Sequence, residues 1–190
     1  MQMDKGLDTG DMLATRECAI DDDETGSSLH DRLMVLGSET LMAMLPDFIQ
    51  GKTQPQKQDD SQATYASKLS KQEACIDWFL PALEIDRCVR AYNAWPVAFT
   101  FWQKKNKQDV LRIWQSEVLD ATSNAAAGTV LNCGREGIDV ATGEGVLRLL
   151  QVQPSGKKVM AAADFANAHH LDGQVLGASQ KSPVALELSR

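Results

Sequence analysis

The turn Leu7-Asp8-Thr9-Gly10-Asp11 sets two carboxylates around a Thr-Gly pair, just ahead of a β-leaning stretch. Such a turn has two readings. It is an Asx-type turn, whose carboxylate bonds its own backbone two residues on, or it aims Asp8 at a cleft where a carboxylate can move a proton. Basic side chains form a second set. Lys68 and Lys71 stand in one stretch, Lys104, Lys105 and Lys107 share a turn, and Lys157 and Lys158 follow Pro154. Each group reads as solvated loop charge or, assembled on a small barrel, as a groove that tracks a phosphate backbone. The tryptophans at 78, 95, 102 and 114 fit core and domain-contact positions better than base-stacking platforms.

Other patterns fail on a single residue. Gly143-Glu144-Gly145 meets Arg148 where a dinucleotide fingerprint needs glycine, and reads as a hairpin turn. Gly156-Lys157-Lys158 lacks the first glycine and the final Ser or Thr of a phosphate loop. Asp21, Asp23 and Gly26 mimic a calcium loop, but Arg32 occupies the place of its bidentate glutamate. His169-His170 has no ligand set at metal spacing, and His30 borders an apolar stripe. No metal is expected. The four cysteines, at 18, 75, 88 and 133, form no C-x-x-C pair and read as reduced cytoplasmic thiols packed as small hydrophobes.

With 190 residues, 43% hydrophobic and 24% charged, the chain suits one ordinary domain or two small ones. Its longest largely apolar uncharged stretch, Ala94 to Trp102, is too short to span a membrane, and residues 1–12 lack a secretory apolar run. The net charge of −7 is uneven. Residues 1–60 carry 13 acids against 5 bases, whereas residues 61–190 carry 13 against 14. A polyanionic partner is therefore excluded neither by the middle of the chain nor by its second half.

The elements that would position these groups follow from periodicity. Met12 to Ile20 reads as a strand, and Ser27 or Ser28 as the cap of a helix that Gly37 splits in two, with Pro46 near the second one's end. Residues 1–50 thus resemble the end of a larger α/β domain. Gly51 to Gln62 has no aliphatic or aromatic residue, so a linker spans 51–80, with a capping-box spacing at Ser70 to Glu73. Pro81 to Tyr92 reads as a helix. From Val97 the period changes to two, giving strands at Val97–Trp102, Val110–Gln115, Gly128–Leu131, Ile138–Thr142 and Val146–Val152, then a short helix at Ala161–Ala168. The fold class is α+β: the end of a Rossmann-like domain, a linker, an OB-like barrel over 81–176 and a loose tail from 177 to 190.

Read in order, MQMDKGLDTGDM (1–12), SLHDRLMVLG (28–37), ATYASKLSKQEACIDW (63–78), EIDRCVRAYNAWP (84–96), GTVL (128–131) and GIDVATGEGVLRLLQVQPSGKKVMAAADF (137–165), with Gly173 and Leu176, resemble methionyl-tRNA formyltransferase. Ala94 and Val97 depart from that family's usual Pro and small residue. The resemblance implies formyl transfer from 10-formyltetrahydrofolate to the methionine amine of initiator tRNA, by a Rossmann-like domain followed by an OB-like one. It maps the family's catalytic Asp onto Asp8, and places Asp4, Lys5, Gly6 and Leu7 along the pterin pocket. It singles out Lys68, Lys71, Lys157 and Lys158 as tRNA contacts, and Arg148 as a further one that alternates outward on its strand. The family's catalytic Asn and His would precede residue 1, so the chain is expected to be an incomplete and inactive fragment, cytoplasmic and monomeric. A non-catalytic tRNA-binding module and a nucleotide-sugar formylase are the alternatives.

Overall fold

The computed structural model describes residues 1–177 apart from Asn106, in two compact units, Met1–Lys68 and a second beginning at Leu69. The expected tail from 178 onward lies outside the described residues.

Unit 1 is built around one helix, α1 (Gly26–Ile49). Its cap is Thr25 rather than a serine. The Thr25 hydroxyl accepts from the Ser28 amide at 3.1 Å, and the Ser28 hydroxyl accepts from the Thr25 amide at 3.1 Å, a reciprocal box that satisfies two end-group donors. Arg32 reaches back to Glu24, to Asp21 at 3.8 Å and to the Ala19 carbonyl at 3.0 Å, fastening the acidic loop to the first turns. The expected break at Gly37 does not occur. An exposed glycine costs a helix only about 1 kcal/mol, and the Ser38 and Thr40 hydroxyls bond back to Val35 and Leu36 carbonyls across it. The strand expected over 12–20 is also absent. Only Met12 pairs, with Gln56, through two main-chain bonds of 2.8 and 2.9 Å. With no neighbouring strand to complete a ladder, Leu13 to Ile20 follows an irregular path.

Unit 2 contains α2 (Ala82–Ala91), β1 (Phe99–Lys104), β2 (Lys107–Leu119), β3 (Val130–Gly134), β4 (Gly137–Ala141), β5 (Val146–Pro154), β6 (Met160–Ala161) and α3 (Ala162–Ala168). Every strand pairing is antiparallel, in the order β1-β2-β5-β4-β3, and β6 extends the β4 lane along β5. β2 is long enough to pair with β1 through residues 107–112 and with β5 through 111–119. Register shifts around Gln115 bend this ladder, and the sheet curls into a half-barrel. Residues 69–80, expected in the linker, belong to this unit: Ala74, Ile76 and Trp78 are buried, and the Trp78 indole donates to the Thr100 hydroxyl at 2.9 Å.

The concave face closes over Leu111, Ile113, Ile138, Val140, Leu147, Leu149 and Val152. α2 contributes Ile85 and Val89, and α3 contributes Ala162 and Phe165. Phe165 meets Trp102 edge-on at 4.9 Å. The two outer strands do not pair with each other. Instead residues 173–177 run between them: Leu176 donates to the Gly128 carbonyl at 2.7 Å beside β3, and Gly177 donates to the Phe101 carbonyl of β1 at 2.8 Å. Gly128 sits at φ +85°, and a Cβ there would lie 2.5 Å from the Leu176 carbonyl, so only glycine allows this approach.

Candidate functional site

In unit 1 the Asp8 turn is open to solvent. Asp8 adopts the left-handed region at φ +54°, a conformation aspartate tolerates better than most residues. The turn is fixed from behind by Gln58, whose side-chain amide donates to the Asp8 carbonyl at 2.8 Å and to the Gly10 carbonyl at 2.7 Å. The Gln2 amide donates to the Asp11 carbonyl at 2.9 Å, and the Gly10 Cβ position falls 1.8 Å from the Gln2 carbonyl, so glycine is obligatory. The outcome is a loop with an immobilised backbone and free side chains. Asp8 points no bond into the protein, Asp4 accepts from the Thr9 hydroxyl at 3.3 Å, and Leu7 is 75% exposed. Gln58 was not readable as a site residue, since a side chain fifty positions away gives no local signal.

His30, unit 1's one histidine, lies 3.4 Å from Asp31 with its side chain 77% exposed. Unit 1 contains no asparagine. Among the described residues no hydrogen bond joins the Asp8 carboxylate to His30 or to a side-chain amide; the Gln58 amide reaches its main-chain carbonyl instead.

The basic residues divide. Lys68 ends unit 1, and Lys71 opens the 3-10 turn Gln72–Ala74, where Glu73 accepts from the Ser70 amide at 2.9 Å. Lys157 and Lys158 are exposed in the turn between β5 and β6. Beside that turn lies a hollow of about 430 Å³ lined by Gln115, Leu150, Gln151, Val159, Met160 and Ala161.

Arg148 sits in a cluster of acids. Its guanidinium is bidentate to Asp139, at 2.7 and 3.1 Å, contacts Glu136, and lies 3.5 Å from Glu117. Asn132 donates to the same Asp139 carboxylate at 3.2 Å. The carboxylate bonding holds the guanidinium well above its ordinary pKa, outweighing the effect of burial. Burial works to raise Asp139, but the hydrogen bonds from Arg148 and Asn132 outweigh it and keep this carboxyl below the usual range. Shared among three carboxylates, the guanidinium ties β5 to β4 through Asp139 and to β2 through Glu117. The signal was present: centring a hairpin on Thr142 to Gly145 sets Asp139 opposite Arg148, as observed.

Chemistry elsewhere is muted. Burial, with Asp172 and Asp139 nearby, pushes the Cys133 thiol up to about 11, where it is no nucleophile at neutral pH. Among the described residues no group of three His, Cys, Asp or Glu is placed to hold a metal ion, and no helix is long and apolar enough to cross a membrane.

Several solved structures share this fold. HypX from Aquifex aeolicus in complex with tetrahydrofolic acid superposes with a TM-score of 0.63 at 16% identity, covering 86% of this chain and 28% of that one. A multiple variant of the same protein gives 0.64 at 17%, covering 87% and 29%. WlaRD, a sugar 3N-formyl transferase studied with dTDP and 5-N-formyl-THF, gives 0.57 at 17%, covering 82% and 53%. The chain thus spans under a third of the HypX chains and about half of WlaRD. A family model described as the formyl transferase C-terminal domain matches residues 68–170, more than half of the sequence and nearly all of unit 2 described above, and by that match the chain belongs to the formyl transferase family.

Proposed function

We propose that this chain serves formyl transfer to the methionine amine of initiator tRNA, with 10-formyltetrahydrofolate as one-carbon donor. The observation that carries the reading is the coupling, in one polypeptide, of the Asp8 turn in unit 1 to a formyl transferase C-terminal domain in unit 2. The LDTGDM, KLSK…IDW and QPSGKK segments favour the tRNA substrate over a nucleotide sugar.

In the reaction the amine nitrogen attacks the formyl carbon. The tetrahedral oxyanion collapses with cleavage of the bond to the folate N10, which takes up a proton as the amine gives one up. Asp8, free at the outer side of a fixed turn, is suited to receive or relay the amine proton. The Asp4–Leu7 loop suits a ring edge, with Leu7 offering an apolar side chain and Asp4, Lys5 and Gly6 offering polar groups and main chain. Lys68, Lys71, Lys157 and Lys158 supply positive charge for the tRNA backbone.

Oxyanion stabilisation is worth about 3–4 kcal/mol for a single donor, and the side-chain amide beside Asp8, that of Gln58, is already committed to the Asp8 and Gly10 carbonyls. We therefore infer that these 190 residues by themselves hold tRNA without turnover, as a monomer acting in the cytoplasm. The test mixes the purified chain with methionyl initiator tRNA and 10-formyltetrahydrofolate, and separately titrates it with the tRNA and with a dTDP-amino sugar. Binding of the tRNA with no formyl-methionine produced is the expected result. Formylation by this chain sinks the inference about turnover, and preference for the sugar nucleotide sinks the choice of substrate.

A further inference from the structure

The curled sheet has one place where pairing fails on both sides of a single residue. β5 pairs with β4 as far as Leu149 and with β6 from Gln151, so Leu150 has a partner in neither. On its other side β2 shifts register, so that Gln115 pairs with Gln151 and Ser116 with Leu149. Leu150 is passed over there too, and so is Trp114 of β2. A bulge that leaves a residue unpaired disrupts the ladder locally and bends the strand. The hollow of about 430 Å³ lies at this break.

Its lining is of two kinds. Leu150, Val159 and Met160 supply apolar side chains, and Ala161 leaves room that a larger residue would fill. Gln115 and Gln151, directly opposite on neighbouring strands, supply two primary amides on side chains whose Cβ atoms stand about 5 Å apart. Both are open to solvent, and among the described residues neither side-chain amide has a hydrogen-bond partner. Gln153, two positions on, is the contrast: its amide is committed to the Trp114 indole at 3.1 Å and the Lys157 carbonyl at 2.8 Å. No charged side chain is among the lining groups; Lys158, one position before Val159, is exposed.

We propose that this hollow is a binding site for a small neutral molecule that carries a carboxamide on an aromatic ring. A primary amide presents a carbonyl and an N–H side by side, and its complement is another amide, which donates to the one and accepts from the other. Two such edges facing one gap suit an amide-bearing ligand better than a carboxylate, which only accepts, or an ammonium, which only donates. The floor of Leu150, Val159 and Met160 gives a ring apolar contact, and the Met160 thioether adds its favourable contact with ring edges. A charge set on that floor would lose water without gaining a counter-ion. The volume falls within the roughly 300–1,000 Å³ of small-ligand sites. The site is made by unit 2 alone and uses no residue of the Asp8 turn, so it does not depend on the reading of the chain as a formyl-transfer protein.

Benzamide is the probe, titrated into the isotope-labelled 190-residue chain and followed by NMR, with benzoate and benzylamine as charged counterparts of similar size. Benzamide should shift the main-chain amides of Leu150, Gln151 and Ala161 and the side-chain amides of Gln115 and Gln151, with a dissociation constant of about 1 mM. Both charged probes should bind at least about tenfold more weakly. Ala161→Phe, which fills the hollow from an exposed position, should abolish the shifts, and Val159→Trp should do the same if the first variant unfolds. Gln115→Leu combined with Gln151→Leu should weaken benzamide roughly tenfold. No response to benzamide overturns the site, and shifts that survive both filling variants overturn it as well, since the probe then sits elsewhere. Benzoate or benzylamine binding as tightly as benzamide overturns the neutral ligand class. Full affinity in the double glutamine variant overturns recognition through the amides.

Discussion

The two units earn their order by different means. Unit 2 buries both helices against a curled sheet and hides more than twenty apolar side chains, whereas in unit 1 the buried residue is Gly10 alone. α1 has a reciprocal cap, an arginine brace and 24 residues, yet none of them is buried, and Met34, Leu41, Met42, Leu45, Phe48 and Ile49 face outward. Caps and local bonds suffice to shape a helix. Most helical stability in proteins comes from packing of an apolar face, and α1 leaves that contribution uncollected.

The largest expected consequence is in backbone opening. Amides of Leu147, Leu149 and Val152 in β5 should exchange with solvent roughly 10⁴-fold more slowly than those of Leu41 to Ile49. Hydrogen exchange read by mass spectrometry checks this, and equal protection in both units would erase the contrast. Next comes the core. Leu149→Ala should cost about 2–5 kcal/mol in urea unfolding followed by unit 2's tryptophans, while Leu45→Ala should leave that transition within about 0.5 kcal/mol.

Arg148→Ala sharpens the comparison within unit 2. It strands Asp139 half-desolvated and should cost about 3 kcal/mol at neutral pH. The Asp139 carboxyl is lowered in the folded state, so its contribution is present above the ordinary carboxylate range and fades as pH falls through the folded value. The gap between wild type and Asp139→Asn should therefore narrow below about pH 4, and a gap independent of pH would contradict the pairing. Gly128→Ala should cost about 2 kcal/mol, from its positive φ and the Leu176 carbonyl in its way. The smallest effect belongs to Asp8→Asn, which should leave thermal unfolding within about 0.5 kcal/mol of wild type, because its side chain is exposed and unbonded.

Legibility followed the same divide. In unit 2 helical spacing placed α2, period-two alternation and turn residues placed five of the strands, and α3 was read just after them, each within a few positions, because burial there enforces the pattern. β6, two residues long, carries too little sequence to show a period. In unit 1 the strand over 12–20 and the break at Gly37 were misjudged for a common reason. Propensity decides only when competing terms are small: a missing strand partner outweighed it over 12–20, and one exposed glycine costs too little to end a 24-residue helix. The Asp8 turn was visible as a motif, but the Gln58 brace that fixes it was not. For Arg148, alternation gave its place on the strand and the hairpin centre gave its Asp139 partner, but neither gave Glu117 and Glu136, which come from other elements.

The span from Leu171 to Gly177 lies past the last helix and past the end of the family match at residue 170. An expression boundary drawn at 170 would retain all six strands and yet strip the seam that joins the sheet's two free margins. The main chain at Gly128 and Phe101 would lose its hydrogen-bond partners, and the slot of Leu176 would fill with water. The smallest self-sufficient version of this module ends no earlier than residue 177.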